Sequence, residues 1–364
     1  MKSGVATTAL SWLRHSVPGI ALAAVLALLA RLIADAIGGW AMDGKGLPLS
    51  PVLCAVLLGV LWRNLIGVSD TFDRGLHWVM HTLLKAGIAL VGLRLTLAGA
   101  GQIAASALPV VCGCIITALA AGALICRALG VPLRLGVLLS VGTAVCGCTA
   151  VVALSPVIRA RHEDTGFALM CVVMFGCFGM LFYPWIAHYF FAQSPTHAGI
   201  FLGTAIHDTS QVIGASLIYS QQHVAPEAVA AASITKLLRN LSIAILIPAA
   251  AWVTRSAASV SGSTSRSFAL PGFVIGFVCC VTLRTVVDAY VGGATSAGQL
   301  WSYMVQTSQL VSELLLICGM TAVGLSVSLG ELRSIGWRPL LAGLSIAATV
   351  CTCSLLLTLA VLHF

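Results

Sequence analysis

The sequence predicts an all-α, polytopic membrane protein, and three observations carry that expectation. Hydrophobic residues make up 59% of the chain and charged residues only 8%, against about 25% charged in a soluble globular protein. Apolar stretches near the roughly 20 residues needed to cross a bilayer core recur from end to end. No soluble domain separates them, so residues 1–364 read as one integral membrane domain, with candidate internal halves at 1–192 and 193–364.

Eleven segments follow in order, at about 17–37, 48–67, 76–97, 103–126, 134–157, 165–191, 199–220, 228–253, 268–288, 302–327 and 338–362. The first lies behind Lys2 and Arg14 and runs to Ala36 without a small-residue cleavage site, so it reads as a retained helix. The longest polar stretch, "TRSAASVSGSTSRS" (254–267), has the composition of a flexible connector. In such a chain a net charge of +8 sets orientation and is no sign of nucleic-acid binding. With a cytoplasmic N-terminus, the loops carrying Arg63 and Arg74, Arg127 and Arg134, Arg255 and Arg266, and Arg333 and Arg338 all face inward. Arg159 and Arg161 in "RARHED" break the pattern. One resolution is that segment 134–157 enters and leaves on the same side.

The thirteen cysteines lie mostly inside apolar segments, with Cys112 and Cys114, Cys146 and Cys148, and Cys351 and Cys353 two apart. Helix positions i and i+2 do not face each other, so small buried side chains are expected rather than metal ligands or disulfides. No cofactor motif appears.

Two stretches repeat. "AGIALVGLRLTLAGAGQI" (86–103) matches "CGMTAVGLSVSLGELRSI" (318–335) at one offset, pairing Gly87 with Gly319 and Gly92 with Gly324. Seven crossings separate them, so the copies run in opposite directions, as in transporters with inverted repeats. "GTAVCGCTAVV" (142–152) echoes "GTAIHDTSQVI" (203–213). Glycine weakens a helix by about 1 kcal/mol, which makes both segments candidates for helices broken near the midplane. The two pairings do not fit one tandem order.

Ionisable groups inside spans are costly and mark function by default. His207 and Asp208 lie deep in their segment, and Thr209, Ser210 and Gln211 extend the polar surface. Lys236, Arg239 and Asn240 share one helix face at i, i+3 and i+4. Thr143, Cys146, Gly147 and Thr149 offer hydroxyl, thiol and backbone groups in the first interrupted segment. Glu313 forms a stripe with Gln306 and Gln309, and Arg284 can pair with Asp288. The plain alternatives are polar patches that fix helix packing and cations that snorkel. Deep cations outnumber the deep acids Asp208 and Glu313, which leans toward an anionic substrate. A hydrolase built on His207, Asp208 and Ser210 is disfavoured, because adjacent helical residues point about 100° apart and no Gly-x-Ser-x-Gly elbow is present.

The residues that carry these readings resemble the YeiH-type family of bacterial inner-membrane proteins. The likeness is densest in "GTAVCGCTAVVALSPVIRA" (142–160), "MFGCFGMLFYP" (174–184), "GTAIHDTSQVIGAS" (203–216), "TKLLRN" (235–240) and "AVGLSVSLGELRSIGWRPL" (322–340). Where the family pattern often has serines in the first motif, Ala144 and Thr149 stand here. The resemblance implies a multi-pass secondary transporter related to cation/proton antiporters and bile-acid symporters, with sulfate export as the family's suggested role. The expected protein is no enzyme. It binds a small anion, sulfate or an organosulfonate, at Thr143, Cys146, Gly147, Thr149, His207, Asp208, Thr209, Ser210, Gln211, Lys236, Arg239 and Asn240. Proton or Na⁺ coupling is expected through His207, Asp208 and Glu313, in a chain able to form a homo-oligomer. The rival expectations are a Na⁺/H⁺-type antiporter centred on Asp208 and a membrane scaffold without transport.

Overall fold

The computed structural model describes residues 2–40, 50–243, 272–291, 296–328 and 337–362, together with positions 245, 246, 249 and 330. The connector 254–267, the end of segment 228–253 and Arg333 lie outside the described residues. In chain order the helices are α1 (Lys2–Trp40), α2 (Pro51–Leu65), α3 (Asp70–Trp78), α4 (Leu84–Val91), α5 (Leu97–Ala128), α6 (Leu133–Ala144) and α7 (Cys148–Leu154). They continue with α8 (His162–Phe191), α9 (Pro195–Ala205), α10 (Thr209–His223), α11 (Pro226–Leu241), α12 (Gly272–Tyr290), α13 (Ser296–Leu325) and α14 (Trp337–Leu362). A π-helical turn, Val79–Leu83, joins α3 to α4, and a 3-10 turn, Gly92–Arg94, ends α4. Among the described residues, six helical stretches are long and apolar enough to cross a membrane: Ser16–Ala36, Asp70–Arg94, Leu97–Ala128, Glu163–Phe191, Ala297–Leu325 and Trp337–Leu362. The all-α membrane class follows. Segments 134–157 and 199–220 are each two half-helices.

The chain forms two compact units. The first holds residues 1–97, 221–223 and 272–330. Its core gathers Leu26, Leu76, Val79, Ala322 and Leu325. Gly19 of α1 and Gly75 of α3 lie backbone to backbone, where a Cβ has no room. The repeat read from the sequence is visible in its contacts. Gly87 of α4 packs on Leu316 of α13, and Gly319 of α13 packs on Leu84 of α4. Leu84 and Leu316 stand at the same sequence offset as Gly87 and Gly319. Each residue therefore touches its counterpart's equivalent, which is the mark of a two-fold relation. As the contact advances along α4 it retreats along α13, so the two helices are antiparallel and the repeat is inverted.

A second pair extends the relation. Gly92 meets the Phe277 carbonyl and Cys280 of α12, and Gly324 meets the Val56 carbonyl and Gly59 of α2. Both partners are three residues apart on their helix, so α2 and α12 are also counterparts.

The second unit holds residues 98–220, 224–271 and 331–364, around Leu138, Leu139, Val151, Val172, Ile346 and Val350. Its interrupted segments do not continue across; they fold back. Gly142 of α6 lies against the side chain of Val151 of α7, whereas nine residues of continuous helix would separate them by about 13 Å. Gly142 also meets Val172, midway along α8. By Ser155 the chain has returned to the first turn of α8, where Ser155 and Thr165 share a hydrogen bond of 2.5 Å.

The segment α9–α10 does the same. Gly199 sits on Ala228 and Ala231, and Gly203 on Ala232 and Thr235, so α9 and α11 run parallel. The intervening α10 must then travel back to the level where α9 began. Its contacts with α8 agree: Gln211 bonds to the Val173 carbonyl, but Tyr219 lies beside His188, with ring centroids 6.3 Å apart.

Candidate functional site

The two hairpin tips meet. In the first, Val145 leaves helical geometry at φ −120°, ψ −98° and Gly147 adopts φ 68°, ψ −121°. That conformation is open to glycine and strained for other residues. In the second tip, Ile206 and Asp208 are extended at φ −93° and −92°. A Cβ at Gly147 would press on both Val172 and Asp208. The close approach of the two tips thus needs a residue without a side chain.

The reversal exposes carbonyls at the ends of α6 and α9, since the last turn of a helix has no intrahelical donors for them. Lys236 and Arg239, both 0% exposed, supply those donors from α11. The Lys236 ammonium donates to the carbonyls of Val145 (3.0 Å), Ile206 (3.1 Å) and His207. Its three protons are thereby used. Arg239 donates through Nε to Ala144 (2.8 Å), through one terminal nitrogen to Thr204 (2.7 Å) and Ile206 (3.1 Å), and through the other to Thr143. Two cations therefore cap two helix C-termini at once, where the helix dipole favours positive charge. This explains how both can be buried. In this state they hold the tips together and do not point free donors into a void.

The opposite polarity faces them. Asp208 is the N-cap of α10, its Oδ1 accepting from the Ser210 amide at 2.9 Å. Gln211 anchors α10 to α8, donating to the Val173 carbonyl (2.9 Å) and the Cys177 sulfur (3.3 Å). Asn240 donates to Thr209 Oγ1 at 3.3 Å. Among the described residues, His207 Nδ1, Gln211 Oε1 and Asn240 Oδ1 are buried without a hydrogen-bond partner. Such orphans are rare and call for an occupant or a second state.

The structure thus gathers Thr143, Cys146, Gly147, His207, Asp208, Thr209, Ser210, Gln211, Lys236, Arg239 and Asn240 around the two tips. Thr149 belongs to the same hairpin, but its side chain is exposed in the first turn of α7. Glu313 lies in the first unit, where it accepts from Gln221 at 2.6 Å while Ser50 donates to the same Gln221. Arg284 and Asp288 form the expected pair at 2.5 Å, and Trp301 adds a bond to Asp288 at 2.8 Å. The sequence reading passed over His77, His81 and Lys85 on α3–α4, although ionisable residues inside segment 76–97 were a signal open to it.

Fold and site together define an all-α, multi-pass membrane protein with paired helical repeats and two interrupted hairpins. The chain belongs to the family described as "Conserved hypothetical protein 698", whose model matches residues 18–343. It is 27% identical over 336 residues to a UPF0324 membrane protein of Nitratidesulfovibrio vulgaris, covering 92% of this chain and 90% of that one. It is 31% identical over 313 residues to a UPF0324 membrane protein of Ralstonia nicotianae, covering 81% of each. A similar relative, a UPF0324 membrane protein of Bordetella bronchiseptica, is 29% identical over 311 residues, covering 82% of this chain and 90% of that one.

Proposed function

We propose that the protein is a secondary transporter that exports a small anion, of the sulfate or organosulfonate class, across the bacterial inner membrane by alternating access. One observation carries the reading: where two hairpin tips meet, two fully buried cations, Lys236 and Arg239, cap the ends of α6 and α9, and the carboxylate residue Asp208 packs against Gly147 of the other tip. Charge of this kind inside a membrane protein is retained at a cost of several kcal/mol and marks ion or substrate pathways. The inverted repeat of the first unit supports the mechanism, since exchanging the geometries of two copies yields the oppositely facing state. No catalytic reaction is assigned. Asp208 and His207 are the proposed coupling groups.

A second reading is favoured by the unpartnered oxygens of Gln211 and Asn240 beside Asp208, which suit a bound cation. It makes the protein a cation/proton antiporter. Purified protein in proteoliposomes, given radiolabelled sulfate, an organosulfonate or Na⁺ under imposed gradients, separates the two. The anion reading expects saturable sulfate or sulfonate flux. Flux of Na⁺ alone supports the second reading. Absence of any flux, and of any ligand-induced stabilisation, leaves a scaffold.

A further inference from the structure

His77, His81 and Lys85 succeed one another at i, i+4 and i+8 along α3, the π turn and α4, inside the candidate span Asp70–Arg94. His77 and His81 stack with ring centroids 4.0 Å apart, and the Lys85 ammonium lies 3.1 Å from His81 Nδ1. His77 and His81 are exposed and Lys85 is half-exposed. Leu76, Val79 and Leu84, on the opposite face, are buried. The helix therefore keeps its apolar face inward and turns a basic ladder outward.

An outward basic ladder is the reverse of what lipid selects. Lys85 lies about 13 Å along the axis from Leu76 at 1.5 Å per residue. A lysine at that depth costs about 2.5–3.5 kcal/mol against hydrocarbon by insertion scales. The side chain turns back toward His81, so each basic group lies next to another along one line. The π turn spans His81, and such turns cluster at functional sites. In sequence, His81 stands at the offset from Glu313 that relates Gly87 to Gly319. The other copy of the repeat thus carries a polar group at the matching place, in the stripe Gln306, Gln309 and Glu313. Polarity in both copies is expected of a face that water reaches.

We infer that the His77–His81–Lys85 ladder lines a hydrated path that attracts small oxyanions of the sulfate or sulfonate class. The path deepens the transport reading, but water access and charge preference are measurable whether or not flux is found. The experiment uses the full chain in membrane vesicles with His81→Cys or Lys85→Cys. Each is treated with anionic sulfonatoethyl or cationic trimethylammonioethyl methanethiosulfonate. Modification is read by peptide mass, so the thirteen native cysteines can remain.

Cysteine at either position is expected to react at least tenfold faster than Ile116→Cys, an exposed apolar position midway along α5. The anionic reagent should outpace the cationic one severalfold, and adding Lys85→Gln to His81→Cys should erase that preference. Sulfate should slow the anionic reagent. Reaction no faster than at Ile116→Cys means the ladder faces lipid and overturns the path. Faster reaction with the cationic reagent overturns the anion preference. Unchanged elution on size exclusion excludes misfolding as the source of access.

Discussion

At the scale of single residues, the site depends on one missing side chain and two occupied cations. Gly147 holds a backbone conformation that a Cβ strains, and its missing Cβ is where Asp208 and Val172 pack. Gly147→Ala is therefore expected to destabilise the protein by about 2–4 kcal/mol, combining backbone strain with steric displacement. A thermal melt of detergent-solubilised protein reads this directly, and an unchanged midpoint would show that the tips can part freely. Lys236 poses a sharper question, because a ligand and a cap respond differently to removal. Lys236→Met leaves the Val145 and His207 carbonyls without their donor, while Ile206 keeps its bond from Arg239. Orphaned buried groups of this kind cost about 1–3 kcal/mol each. The substrate-free protein should then melt clearly lower, while Lys236→Arg, which keeps the charge, should recover part of the loss. A lysine that served only to bind substrate would leave the melting of the empty protein unaltered.

At the scale of elements, the hairpins change how the chain is threaded. If α6–α7 and α9–α10 both return to the side they entered, the loop of Arg159 and Arg161 joins the other arginine-bearing loops on the cytoplasmic side, and no exception to the charge bias remains. Full crossings by both segments predict the reverse for that loop and place residues 192–194 inside. In intact cells with a cytoplasmic N-terminus, Gln193→Cys should label with a membrane-impermeant maleimide and Arg161→Cys should not. The opposite pattern would mean that the segments cross. Much of this was legible beforehand: Gly-Thr-Ala followed by polar residues in an apolar run announced both interruptions, and the mismatch of Arg159 and Arg161 with the charge bias offered a reversal as one resolution. The direction of α7 and α10 was not legible. It is fixed by Gly199 on Ala228, Gly203 on Thr235 and Gly142 on Val151, contacts between segments whose local composition is alike. Nor could spacing show that Lys236 and Arg239 serve carbonyls, because a backbone acceptor leaves no mark in the residue type. The alignment of Lys85 with His77 and His81 was not legible either, because it depends on helix phase through the π turn.

At the scale of the whole molecule, the question is which part of transport each charge serves, and Asp208 separates the possibilities. It has two jobs in the structure: its Oδ1 caps α10, and its charge lies near Lys236. Asn caps a helix about as well as Asp, so Asp208→Asn keeps the hairpin tip and removes only the charge. Under the anion reading, the substitution leaves Lys236 and Arg239 on their carbonyls and removes only the nearby negative charge, so an anion gradient can still drive flux. Sulfate or sulfonate exchange should persist in proteoliposomes, while stimulation by an imposed pH gradient falls at least tenfold. Under the antiporter reading, Asp208 is the ligand itself, so every ion flux should vanish together with pH dependence. Retention of full pH-driven flux would remove Asp208 from coupling and leave that role to His207 or to Glu313, the carboxylate bound to Gln221 in the first unit. Glu313→Gln then becomes the deciding variant, since it keeps the hydrogen-bonding shape and cannot release a proton.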